Sequence, residues 1–170
     1  MRLRLLGVVA LVFLVNTGYI AAFGTPSLFY MANALLHLVL GLVLVALCRA
    51  GFSPRGTSVP LILTTILGLI LAYVGNTRDH RTILILHVII GTLAIAALLA
   101  WSLRSRQIAL TRALIAGSLI ALALPAITAS YHRVRPNPHD RIVNPLIVPT
   151  SMEEEGAGPK SPFLQSILSS

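Results

Sequence analysis

The stretch Thr82–Leu103, TILILHVIIGTLAIAALLAWSL, runs for 22 residues without a charge and carries one histidine, His87. A bilayer core about 30 Å thick is crossed by ~20 predominantly apolar residues in a helix, so this segment reads as one membrane span. Three further stretches are free of Asp, Glu, Lys and Arg: Leu5–Cys48, Gly56–Thr77 and Ala113–His132. The first is long enough for two spans, and Gly24-Thr25-Pro26-Ser27 marks the turn between them. The chain therefore reads as all-α and integral to a membrane. Its five transmembrane helices are expected at about Leu5–Phe23, Ser27–Leu47, Pro60–Gly75, Thr82–Leu103 and Ile108–Ala129.

Composition agrees. Of 170 residues, 56% are hydrophobic and 11% charged, against roughly 25% charged in a soluble domain. A net charge of +8 would suggest nucleic acid in a soluble protein, but here the basic residues sit at span ends and in a tail. Membrane topology explains them, so lipid is the expected environment and no nucleic-acid partner is expected. Arg2, Arg4, Arg49, Arg55, Arg104, Arg106 and Arg112 fall on one side if the N-terminus is cytoplasmic, whereas the opposite side has one short loop with Arg78 and Arg81. The expectation is a bacterial-type inner membrane, with the N-terminus inside and the C-terminal tail outside. Met1–Phe23 has the pattern of a secretory signal, and Ala21-Ala22 offers a cleavage site, but it is read as a retained first helix. The single cysteine, Cys48, excludes an internal disulfide and a covalent CxxCH haem within the chain.

Offsetting the sequence by 50 residues places Gly18 on Gly68, Phe23 on Tyr73, Ser27 on Thr77, His37 on His87 and Gly41 on Gly91. Residues 1–50 and 51–105 thus read as two copies of a two-helix unit forming a four-helix bundle. Segment 106–130 adds a fifth helix, and 131–170 a Pro-rich, extended tail. Two spans return the chain to the same side, so the copies run parallel and are related by a pseudo-two-fold axis along the membrane normal. Equivalent residues then share a depth, and His37 and His87 are expected to face each other across the bundle.

Ionisable side chains within a membrane are expensive and mark functional sites. His37 and His87 each lie ten residues beyond their turn, about 15 Å down at 1.5 Å per residue. Each has glycine at i+4, on the same helix face. An imidazole above a position lacking a side chain suits a flat macrocycle, and haem iron accepts axial histidine. Counted back from the turns, Gly18 and Gly68 fall at the histidine level on the other two helices. The alternative use of the pair is as polar glue between helices, with the glycines as small packing residues. A zinc site would want three or four ligands, and no further His, Cys or carboxylate lies at this depth.

This order of residues resembles the membrane cytochromes b, over about Leu5–Leu103. The resemblance implies His37 and His87 as axial ligands of one non-covalent haem b, with Gly18, Gly41, Gly68 and Gly91 lining it. It departs from respiratory cytochrome b where a second histidine pair would stand, at Gly51 and Trp101, and in lacking the Pro-Glu-Trp-Tyr quinol signature. The implied function is electron transfer between a quinone pool and an outer-side partner such as a c-type cytochrome, within a complex of several subunits. Arg78 and Arg81, above the expected haem, could pair with its propionates or serve as ordinary interfacial charges. Tyr30, Asn33, Asp79 and His80 are the outer-end polar groups a quinone could contact.

The tail more weakly resembles linkers that precede multihaem c-type modules, through Asn144-Pro145 and Gly158-Pro159-Lys160-Ser161-Pro162-Phe163. His132 and His139 could ligate a partner's metal or haem, but read rather as solvated tail histidines. A competing reading is a non-redox membrane anchor or assembly subunit. A small transporter is a third, and the absence of intramembrane Asp, Glu, Arg or Lys speaks against it.

Overall fold

The computed structural model describes residues 2–24, 27–52 and 55–135. Five helices are long and apolar enough to cross a membrane. They are α1 (Arg2–Ala22), α2 (Leu28–Leu47), α3 (Arg55–Val74), α4 (Arg81–Arg104) and α5 (Ile108–Val134), and no strand occurs among the described residues. The protein is an all-α, multi-pass membrane protein. Its outward faces carry Leu28, Phe29, Leu35, Val39, Leu93 and Leu122 fully or largely exposed, which suits contact with acyl chains and would be costly in water. The chain divides into two units, Met1–Ser130 and Tyr131–Ser170. Of the second only 131–135 is described: the extended tail expected from 131 is still helix through Val134, so His132 lies on α5, while 136–170, with His139, lie outside the described residues.

Local chemistry sets the helix ends. Ser27, extended at φ −127° and ψ 159°, caps α2, its hydroxyl accepting from the Tyr30 N–H at 3.1 Å. Gly75, at φ +80°, ends α3 with its N–H on the Leu71 carbonyl, a left-handed position that glycine takes without a Cβ penalty. A 3-10 turn, Arg78–His80, leads into α4. At the other side of the membrane α2 runs on as a π-helical turn, Cys48–Phe52. The α4–α5 link turns on Arg106 at φ 52°, with the Gln107 N–H reaching back to the Ser102 carbonyl at 2.8 Å. That is a Schellman closure in which arginine stands where glycine is usual, a choice that costs about 1–2 kcal/mol.

Two boundaries differ from expectation, both at prolines. α3 begins at Arg55, five residues ahead of Pro60, and α5 continues through Pro125 to Val134 rather than ending near Ala129. Proline forfeits one helical hydrogen bond and clashes with the preceding turn. Packing against neighbouring helices can re-satisfy the freed carbonyl, and α1 closes on α5 at Ala121, four residues before Pro125.

The packed core lies at the arginine-rich end of the bundle. Leu6 of α1, Leu44 of α2, Leu61 of α3, Leu98 of α4 and Leu110 and Leu114 of α5 are buried there with Cys48. Ser102 joins α4 to α5, accepting from the Thr111 hydroxyl at 2.9 Å while donating to Leu99 O. The 50-residue offset reappears in the packing: Leu44 and its counterpart Ala94 are fully buried, as are Cys48 and Leu98, whereas His37 and His87 are both half-buried. Toward the other end burial thins out, and Leu28 and Tyr73 stand almost wholly exposed.

Candidate functional site

The histidines lie where the dense core gives way to this thinner half. His37 on α2 and His87 on α4 come together with ring centroids 6.3 Å apart and planes at 64°. Each is held within its own hairpin, by different means.

His87 rests on α3. Its Nδ1 lies 2.8 Å from the Thr64 carbonyl oxygen, which can only accept, so Nδ1 carries the proton. The Thr64 hydroxyl returns a bond to the His87 carbonyl at 2.9 Å. Gly68 makes this possible. A helical Cβ leans toward the N-terminus and so would cover the carbonyl one turn back. At position 68 it would stand 3.0 Å from His87 Cε1 and 3.4 Å from Nδ1. Gly91, one turn deeper on α4, lets Thr64 approach in the same way, since a Cβ there would lie 3.1 Å from the Thr64 hydroxyl.

His37 rests on α1. Its ring stacks on Phe13 at 4.5 Å and 26°, and Gly41, one turn deeper, faces the edge of that phenyl ring, where a Cβ would make an ordinary contact at 3.6 Å. The Thr17 hydroxyl donates to the Phe13 carbonyl at 2.8 Å, leaving a lone pair for His37 Nδ1 at 3.3 Å. His87 therefore holds its proton on Nδ1, and the same tautomer would let His37 donate to the Thr17 hydroxyl. No hydrogen bond among the described residues reaches either Nε2, and none joins the two rings. This tautomer, with Nδ1–H on a protein oxygen and Nε2 bare, is the one a metal-ligating histidine adopts.

A polar pair sits toward the Ser27 end from His37. Asn16 Nδ2 donates to Asn33 Oδ1 at 2.9 Å, and Asn33 Nδ2 to the Phe29 carbonyl at 2.8 Å. Asn16 is 5% exposed, and its Oδ1 is buried without a partner. Asn33 is thus engaged between helices rather than displayed. Likewise Thr77 Oγ1 lies 2.8 Å from His80 Nδ1. Arg78, Asp79 and Arg81 are exposed on and beside the 3-10 turn, and Tyr30 is half-buried.

Of the expected site residues, the structure brings together His37, His87 and Gly68, with Gly41 and Gly91 one turn deeper. Gly18 departs from expectation. A Cβ there would stand 2.9 Å from Ala121 Cα and 3.2 Å from the Ile120 carbonyl; this glycine seats α5. Gly18 and Gly68 are equivalent in the repeat, but α5, which has no counterpart there, packs beside Gly18 alone. Phe13, Asn16, Thr17 and Thr64 were missed, although polar residues within otherwise apolar spans are signals of interhelical contact.

The donor set fits a bis-histidine haem in ligand type, and in tautomer at His87; the expected glycine lining is not found, since Gly18 faces α5, Gly41 the edge of Phe13, Gly68 the His87 ring and Gly91 the Thr64 hydroxyl. Among the described residues no three His, Cys, Asp or Glu side chains assemble as a metal site; the histidines are a two-ligand set. Comparison of the chain with protein-family models, curated proteins and solved structures finds no match.

Proposed function

We propose that this protein is a cytochrome b-like electron-transfer subunit that carries one haem b between His37 and His87. The observation supporting this most directly is the facing pair itself, two imidazoles 6.3 Å apart on different hairpins, each with Nδ1 committed and Nε2 bare. A haem held by His37 and His87 would supply one-electron chemistry. The protein's own part is to orient the two rings through Thr17 and Thr64, and to keep the pair in apolar surroundings. A quinone is the expected partner in the membrane, and an outer-side carrier such as a c-type cytochrome the expected partner in water.

A second reading takes the pair as interhelical glue in a membrane anchor, favoured by the tie each ring makes to the neighbouring helix of its hairpin. Absorption spectroscopy separates the two. Protein purified in detergent from haem-sufficient cells should show the reduced-minus-oxidised spectrum of a six-coordinate b haem, extractable by acidic organic solvent. The double variant His37→Ala/His87→Ala should be colourless. A colourless wild type would leave the anchor reading.

We further place the N-terminus in the cytoplasm. Arg4, Arg49, Arg104, Arg106 and Arg112 lie at the ends of α1, α2, α4 and α5 that share the packed core, and such clustering marks the inner side. Protease added to intact spheroplasts should then cut within 136–170. Cleavage only after the membrane is opened would reverse the orientation.

A further inference from the structure

The two halves of the repeat do not hold their histidines alike, and α5 is the reason. In the second half, positions 64 and 68 serve His87: the Thr64 carbonyl accepts its Nδ1–H at 2.8 Å and Gly68 gives it a seat. Their counterparts in the first half are Leu14 and Gly18, where the Leu14 side chain and the Gly18 backbone pack against α5. A Cβ at Gly117 of α5 would lie 2.8 Å from Leu14 Cβ, and Gly18 closes on Ala121. His37 is left with the hydroxyl of Thr17 at 3.3 Å, a long contact to an oxygen already committed as donor to Phe13, and with the face of Phe13. A carbonyl at 2.8 Å is the stronger acceptor of the two. It raises the basicity of the opposite ring nitrogen and fixes the ring's direction.

Resting on the haem reading above, we infer that the two histidines bind unequally. His87 is the anchoring ligand, and His37 is the one that a small neutral donor such as imidazole or carbon monoxide can replace. The fifth helix thereby breaks the two-fold equivalence that the repeat would otherwise impose, and gives the site a fixed side and an exchangeable side.

Haem titration of the full-length protein in detergent tests this. His87→Ala should bind haem at least about ten-fold more weakly than His37→Ala, the lower end of what loss of an orienting partner costs a metal site. His37→Ala should keep haem and, once reduced, take up carbon monoxide; added imidazole should return it to a six-coordinate spectrum. Equal losses in the two variants, or the reverse order, would overturn the inference. A second pair leaves both imidazoles in place: Gly68→Ala, which crowds His87 at Cε1, should weaken haem binding more than Thr17→Val, and the opposite ranking would again overturn it. A wild type that takes up no haem refutes the haem reading itself, a result distinct from every ranking above.

Discussion

Gly68→Leu should abolish haem uptake while leaving a five-span protein in the membrane. A Cβ at 68 already meets His87 Cε1 at 3.0 Å, and the rest of a leucine side chain has to occupy the space of the imidazole. The ring cannot retreat and keep its bond, because the Thr64 carbonyl it uses lies one turn back on the same helix face. The imidazole is displaced, Nδ1 loses its acceptor, and the ligand loses its direction. Overpacking of this kind costs about 1–3 kcal/mol, which lowers stability without undoing membrane insertion, since each span is held there by its own length and apolarity. Haem content per purified protein is the measurement. Wild-type content in Gly68→Leu would mean that His87 does not need its α3 seat.

Gly18→Leu should do the opposite, sparing His87 and dislodging α5. Here the neighbour is backbone: Ala121 Cα at 2.9 Å and the Ile120 carbonyl at 3.2 Å, with no flexible side chain to yield. Leucine forces the two helices apart at a level where Pro125 already deprives the Ala121 carbonyl of its helical partner. The cost belongs at the upper end of overpacking, about 3 kcal/mol, or a fall of roughly 6–12 °C in the unfolding midpoint for a chain of this size. Thermal unfolding in detergent measures it, with haem content as the control. An unchanged midpoint would show that α5 is not seated on Gly18. Equivalent residues in the sequence repeat are thus predicted to give opposite phenotypes.

That contrast also marks how far the sequence could be read. Spans were legible because a bilayer demands ~20 apolar residues at a stretch, and charges at positions 2, 4, 49, 55, 78, 81 and 104 punctuate the first four helices. The histidine pairing was legible because a two-span repeat returns equivalent residues to one depth. The groups that orient the two histidines were not. His87's acceptor is a main-chain carbonyl, which no residue type announces, and Thr17 has no polar counterpart, since position 67 is leucine. Gly18 misled for a related reason: a glycine signals close approach without saying what approaches.

Each histidine is oriented entirely from within its own helical hairpin, His37 by Phe13 and Thr17, His87 by Thr64 and Gly68. During synthesis the first hairpin can therefore settle in the bilayer with His37 already aimed before the second has left the ribosome. Completing the site then needs only the lateral meeting of two prepared banks. The facing pair itself exists only once α4 has inserted beside α2.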